Sequence, residues 1–147
     1  MRFHAYWSIY VGPCSRGDLM EAHLPPISAA LEDMEHDWDI STEREAPGLF
    51  RLVTHQNFAV ESVEDVIISV LRRAYRLTKE WRISGLEALA TGKINQVHGD
   101  SAITRPSPRP PSLESMIFEV KPGRIRRASR AEARAAGWPR GAWRIED

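Results

Sequence analysis

The chain has 147 residues, of which 42% are hydrophobic and 27% are charged, and these values are typical of an ordinary soluble globular protein of one domain. Its only cysteine, Cys14, excludes an internal disulfide framework. No stretch approaches eighteen consecutive apolar residues, and the N-terminus alternates too strongly for a signal peptide, so we expect a cytoplasmic protein without a membrane span.

The formal net charge of zero hides a separation of charge along the chain. Residues 1–66 carry twelve acidic and four basic side chains, a net charge of −8, whereas residues 67–147 carry sixteen basic and eight acidic ones, a net charge of +8. Such a separation steers charged partners, but it is neutralised if one half folds over the other. It indicates a protein that binds something charged.

The N-terminal third predicts a strand and then a helix. Residues 2–11 alternate between apolar and polar side chains, which predicts a strand with one buried face, and Gly12-Pro13 ends it. A helical segment follows and ends with residues 24–36. Pro25 and Pro26 suit the first turn of that helix, because proline has no N–H to donate inside a helix.

The middle of the chain predicts three more strands and the best-defined helix. Residues 37–42 and 49–54 read as strands separated by a turn at 46–48. Residues 63–80 carry an apolar stripe at helical spacing, with Ser62 as the N-cap. After this helix, residues 81–86 read as another strand.

The last third predicts a connector, a strand and a short helix. Four prolines in residues 104–112 indicate an extended connector. The alternation of residues 116–120 predicts a strand, and the capping box from Ser129 to Glu132 begins a short helix that Gly137 ends. We therefore expect a single α+β domain over residues 1–123, with the connector before its last strand, and an arginine-rich C-terminal segment with a short helix over residues 124–147.

The predicted fold class is α+β, with an antiparallel sheet and helices packed on one face. The first six elements follow the β-α-β-β-α-β order of ferredoxin-like sandwiches, and a C-terminal strand and short helix are added to it.

No motif in the sequence indicates catalysis. The five histidines are scattered, and phosphate-binding and nucleophile motifs are absent. Arg16 could lower the pKa of the nearby Cys14 thiol, but no histidine is identified as its base. We therefore expect no enzyme, no catalytic residue, no cofactor and no metal site.

The densest feature of the N-terminal half is an acidic run. Alternation places Asp37 and Asp39 on the strand face opposite Trp38 and Ile40. The run could be a solubilising surface, or it could dock on a basic surface such as the substrate groove of a nucleic-acid enzyme. On the second interpretation the partner-binding residues are Glu32, Asp33, Glu35, Asp37, Asp39, Glu43 and Glu45.

The C-terminal segment is correspondingly basic. Trp138 and Trp143 lie among its arginines and could stack on bases while the guanidinium groups bind phosphate. The simpler interpretation is that these arginines pair with the acidic half of the same fold. They are Arg124, Arg126, Arg127, Arg130, Arg134, Arg140 and Arg144.

Several of these features together resemble a known protein family. The Ala5-Tyr6-Trp7 strand with its following helix, Trp38 on the second strand and the stretch from Trp81 to Gly85 are similar to the immunity protein 52 family. The resemblance covers about residues 1–120, and it implies an immunity protein of a bacterial polymorphic toxin or type VI secretion system. Such proteins are small, cytoplasmic and non-enzymatic, and they bind a cognate toxin effector domain that is typically a nuclease. A small nucleic-acid-binding protein that uses the arginine-rich segment is the alternative.

Overall fold

A computed structural model describes residues 1–33, 37–86, 97–102 and 112–146 of the chain. No helix among these residues is long and apolar enough to cross a membrane. The elements in chain order are β1 (Arg2–Gly12), α1 (Arg16–Asp18), a π-helical turn (Leu19–His23), α2 (Leu24–Ala30), β2 (Asp39–Glu43), β3 (Ala46–Ala59), α3 (Val63–Leu77), β4 (Arg82–Ser84), β5 (Val97–Ala102), β6 (Ser112–Pro122), β7 (Arg124–Arg127), α4 (Arg130–Ala136) and β8 (Trp143–Glu146).

The main sheet has six strands in the order β2-β3-β1-β6-β5-β4, and every neighbouring pair is antiparallel. Strands β7 and β8 form a separate antiparallel hairpin. The predicted α+β class and antiparallel sheet are confirmed. The ferredoxin-like arrangement is not, because β6 is the second neighbour of β1 and β4 lies at the far edge of the sheet.

The core lies between one face of this sheet and the helices. The alternation predicted for β1 is confirmed: its odd-numbered residues from Phe3 to Val11 are buried and form one apolar face. Helix α3 turns Val66, Val70 and Ala74 toward the same core, and all three are buried. Burial of this apolar area is the main force that holds helix and sheet together.

Helix ends follow the local capping signals. The Ser62 hydroxyl accepts a hydrogen bond from the backbone N–H of Asp65, so α3 begins where the sequence predicts. The predicted capping box of Ser129 and Glu132 is formed at the start of α4. Helix α3 ends at Leu77, three residues before the predicted end, because the next residue is extended.

The first helical segment has a start that the sequence did not define, and it ends earlier than predicted. It begins at Arg16, and its π-helical turn carries the chain into the two prolines: the N–H of Leu24 donates to the carbonyl of Leu19, five residues back. Pro25 and Pro26 occupy the first turn of α2, as predicted. Helix α2 ends at Ala30, whereas the prediction continued to residue 36, and residues 34–36 lie outside the described residues.

The strands also depart from the prediction in places. The turn between β2 and β3 lies at residues 44–45, so the predicted turn at 46–48 is wrong. Those residues begin β3, with Gly48 at a φ of +82°. Strand β5 is not predicted because Gly99 interrupts its pattern, and β7 and β8 are not predicted because they have only four residues each. The predicted connector at 104–112 lies outside the described residues, apart from Ser112 at the start of β6.

Gly99 is required where β5 passes over a buried ring. It pairs with Phe118 on β6, and the Phe118 ring contacts Trp7 and Trp81, at centroid distances of 5.4 and 5.1 Å. A Cβ at Gly99 would overlap the Phe118 ring, which is fully buried. The ring has little freedom to move, because its neighbours are closely packed.

We expect Gly99→Ala to lower the free energy of unfolding by about 1–3 kcal/mol, because the added methyl group overpacks the core. Gly17→Ala is the matched control, since its nearest neighbour would lie 3.9 Å from the new Cβ. Urea unfolding of both variants measures the difference. Equal stability of the two variants would contradict the packing argument.

Candidate functional site

Arg127 of β7 joins the C-terminal segment to β2. Its guanidinium donates to Asp37 at 2.8 and 3.2 Å and to Asp39 at 3.0 Å twice. It also donates to the carbonyl of Gly141 at 2.7 Å and lies over the Trp143 ring, 4.0 Å from the centroid. We call this arrangement of Arg127, Asp37, Asp39, Gly141 and Trp143 the arginine clamp.

The clamp depends on the alternation of β2. Trp38 and Ile40 pack against the core, so the two aspartates beside them face the other way, as the sequence predicts. The hydrogen bonds that Arg127 donates to Asp37 are the main cause of its raised pKa. Burial opposes the rise, and the hydrogen bonds that Arg127 donates to Asp39 add to it. The two carboxylates therefore neutralise a cation of their own chain and offer a partner less free charge than the sequence suggests.

His55 lies under the clamp. Its ring contacts Trp143 and Tyr6, with centroid distances of 4.5 and 5.2 Å. Burial, and then the charges of His4 and Arg127, lower the pKa of His55 to about 4 against the opposing effect of the two aspartates. Its Nδ1 atom is buried and has no hydrogen-bond partner among the described residues. His55 is therefore neutral at physiological pH.

A cleft of about 440 Å³ runs between the end of β3 and strand β7. At the floor of the cleft, the Asn57 side-chain amide donates to the carbonyl of Ile125 at 2.7 Å, and its Oδ1 accepts from the N–H of Ile125 at 2.8 Å. Acidic and basic side chains both line the cleft. Its charged walls come from Glu32, Asp33, Asp37, Arg73, Arg124, Arg126 and Arg127. Residues 124–146 thus pack on the sheet through side-chain contacts that the sequence could not reveal.

Glu32 is neutralised by helix α3. Its carboxylate contacts Arg72, Arg73 and Arg76 at 3.0, 2.7 and 3.1 Å. Desolvation acts against ionisation, but the charge of Arg73 and the hydrogen bonds from Arg76 and Arg72 outweigh it and lower the pKa of Glu32. Arg73 also lies over the Phe58 ring, 4.9 Å from the centroid. Glu32 therefore holds the end of α2 against α3.

The predicted acidic site is consequently divided. Glu32, Asp37 and Asp39 bind arginines of the same chain, and Asp33 is half buried in the cleft wall. Glu35 lies outside the described residues. Glu43 and Glu45 are exposed at the β2–β3 turn, and neither forms an ion pair with a residue that the structure describes.

The C-terminal arginines are divided in the same way. Four of the seven form ion pairs: Arg124 with Glu146, Arg126 with Glu132 and Glu146, Arg127 with Asp37 and Asp39, and Arg144 with Glu132. Arg130, Arg134 and Arg140 are exposed and have no acidic partner within the described ranges. Of the two tryptophans, Trp143 is covered by the Arg127 guanidinium and Trp138 is exposed.

Cys14 does not have the properties of an activated nucleophile. Burial, and then the charge of Asp18, raise the pKa of its thiol, so the lowering by Arg16 that the sequence allowed does not occur. Within the described residues, no group of three or more histidine, cysteine or acidic side chains could hold a metal ion.

No family model, no curated protein and no solved structure matches this chain. We therefore infer its function from the charged surfaces and the clamp.

We expect Arg127→Lys to lower the free energy of unfolding by about 1–2 kcal/mol, because an ammonium cannot reproduce the planar fork that binds both aspartates. Arg124→Lys is the matched control, since Arg124 approaches its partner Glu146 only to 3.9 Å. Urea unfolding at neutral pH compares the two. A loss no larger in Arg127→Lys than in Arg124→Lys would contradict the clamp.

The lowered pKa of His55 makes stability depend on pH. Between about pH 6.5 and pH 4 the unfolded chain takes up a proton at His55 that the folded chain does not, so the free energy of unfolding falls as the pH falls. We expect this residue to contribute a loss of about 1 kcal/mol between pH 7 and pH 5, after allowance for solvent screening.

His55→Phe keeps a ring against Tyr6 and Trp143 and removes the titration, so it should flatten the pH dependence of unfolding over this range. His23→Gln serves as a control outside the clamp and should keep the wild-type slope. A His55→Phe variant with the wild-type slope would show that His55 is not the group responsible.

Proposed function

We propose that this chain is an immunity protein: a cytoplasmic, non-enzymatic inhibitor that binds a cognate antibacterial toxin, of nuclease type, in a stoichiometric complex. The observation that carries the proposal is the acidic turn between β2 and β3, where Glu43 and Glu45 are exposed without an ion-pair partner among the described residues. The resemblance of the strand and tryptophan pattern to the immunity protein 52 family supports the same class, as does an α+β fold of this size.

The β2–β3 turn is well placed to enter a partner's cleft. Strand β2 is at the edge of the sheet, and residues 41–45 are all exposed. Strand β3 continues from the turn into the core, where Phe50 and Leu52 are buried. A turn anchored in this way loses little conformational entropy on binding, which favours affinity.

The clamp makes the base of this hairpin rigid. Asp39, on the same strand as Glu43, is held by Arg127 and by the Trp143 Nε1–H, which donates to it at 3.1 Å. Half of the Asp39 side chain remains exposed, so it adds negative potential beside the free glutamates. We infer that the partner surface comprises Glu43, Glu45 and Asp39, and that Glu32 and Asp37 serve the fold.

A nuclease is the toxin class that this surface suits. Its substrate cleft must be basic because it binds a polyanion, and carboxylates on a protruding turn can occupy the positions of the phosphates. Charge complementarity of this kind acts mainly on the association rate, so salt should slow association more than it accelerates dissociation.

A growth-rescue assay tests the function. The C-terminal domain of the protein encoded immediately upstream is expressed in a sensitive bacterium with and without this chain, and survivors are counted. The proposal predicts specific rescue and a one-to-one complex on co-purification. A toxic domain that is neither neutralised nor bound by this chain would contradict it.

The double variant Glu43→Lys/Glu45→Lys should weaken toxin binding by at least tenfold, which corresponds to about 1.4 kcal/mol, mainly through a lower association rate at low salt. Glu61→Lys/Glu64→Lys is the control, because it makes the same change in net charge at exposed sites near the start of α3. Surface plasmon resonance measures both rates. Equal effects of the two double variants would place the interface elsewhere and leave the function itself untouched.

A further inference from the structure

Three arginines without acidic partners among the described residues line one notch at the end of α4. The notch has a volume of about 300 Å³, and its walls are Arg130, Arg134, Arg140, Ala133 and Trp138. The Trp138 side chain is 43% exposed, which is unusual for a tryptophan, since this residue generally buries most of its large surface. A strongly basic concavity with an aromatic wall is a candidate binding site.

Local backbone geometry builds the notch. Arg130 and Arg134 are four residues apart on α4 and therefore share a face of the helix. Gly137 adopts the left-handed conformation that ends the helix, and the N–H of Trp138 donates to the carbonyl of Ala133 at 2.9 Å, which sets the indole beside the helix end.

A tight turn supplies the third arginine. The N–H of Ala142 donates to the carbonyl of Pro139 at 3.2 Å, and Gly141 has a φ of +75°. Arg140 is therefore at a corner of this turn, where it is exposed and lines the notch. The Gly141 carbonyl accepts from Arg127, so the clamp also fixes the turn that presents Arg140.

The acid nearest in sequence is already engaged elsewhere. Glu132 lies on α4 between the two helical arginines, but its carboxylate binds Arg126, Arg144 and the N–H of Ser129. Because these partners occupy the Glu132 carboxylate, Glu132 does not neutralise the arginines of the notch. Three like charges beside one another repel, and an anion that binds all three relieves this repulsion.

We propose that this notch binds single-stranded nucleic acid, with phosphates on the three guanidinium groups and a base stacked on Trp138. Arginine binds phosphate in a bidentate manner, and an exposed indole provides a face on which any base can stack. Trp143 is not available for stacking, because Arg127 and His55 cover its ring. A single strand is favoured over a duplex because its bases are free to leave the stack and reach the indole.

The test uses the full chain and a fluorescein-labelled oligothymidine of about ten nucleotides, with an oligouridine of the same length in a parallel arm. Anisotropy is measured at salt concentrations from about 50 to 200 mM. We expect the triple variant Arg130→Gln/Arg134→Gln/Arg140→Gln to bind at least tenfold more weakly, and the slope of log affinity against log salt to decrease by about 2.

The charge-matched control is Arg2→Gln/Arg16→Gln/Arg44→Gln, three exposed arginines remote in sequence from α4. Trp138→Leu should weaken binding by about tenfold through lost stacking, and Trp138→Phe should retain most of the affinity. Thermal unfolding confirms that each variant is folded. This proposal does not depend on the toxin, so its outcome is separate from that of the rescue assay.

Three results would overturn the proposal. One is the absence of binding to either oligonucleotide at the lowest salt concentration. Another is an equal loss of affinity in the two triple variants, which would reduce the effect to net charge. The third is competition by polyglutamate of equal charge together with wild-type affinity in Trp138→Leu, which would identify an acidic protein segment as the occupant.

Discussion

The contact of Arg127 with Asp37 and Asp39 is the interaction on which the charged surfaces depend. It joins two segments that lie about ninety residues apart in the chain, and its strength comes from the planar guanidinium that serves both carboxylates. The same side chain covers the Trp143 ring and donates a hydrogen bond to the Gly141 carbonyl, its third partner. Because Asp39 belongs to the acidic hairpin and Gly141 to the turn beside the basic notch, one residue braces both proposed binding surfaces.

Charge is separated along the chain, and the fold pairs part of it in space. Glu32 with its three arginines and the clamp with its two aspartates pair three members of the acidic run with arginines from the second half of the chain. Within the acidic run and the C-terminal arginines, Glu43 and Glu45 of the β2–β3 turn and the three arginines of the α4 notch form no ion pair with a described residue. A protein with a free acidic surface and a free basic surface can bind partners of opposite charge separately, and the two proposals use different surfaces for this reason.

Much of the fold could be predicted where one physical signal dominates. The alternation of β1, the apolar stripe and N-cap of α3 and the capping box of α4 are local patterns, and the structure confirms each of them. Strand β5 is not predicted because Gly99 interrupts its alternation of apolar and polar residues. Glycine is needed there because a Cβ would overlap the Phe118 ring on β6. Strands β7 and β8 are four residues each, too short for a periodicity to emerge.

The sequence by itself determined the number of acidic and basic groups, the separation between them and the outward direction of Asp37 and Asp39. Alternation and composition are properties of the chain, so they need no tertiary structure. Only the tertiary structure decided which charges remain free. Whether Asp39 or Glu43 has a partner depends on where β7 docks, and that position is set by contacts such as the one from Asn57 to Ile125 between distant segments. An ion pair requires its two groups to lie within a few ångströms of each other, and groups far apart in the chain reach that distance only in the folded protein.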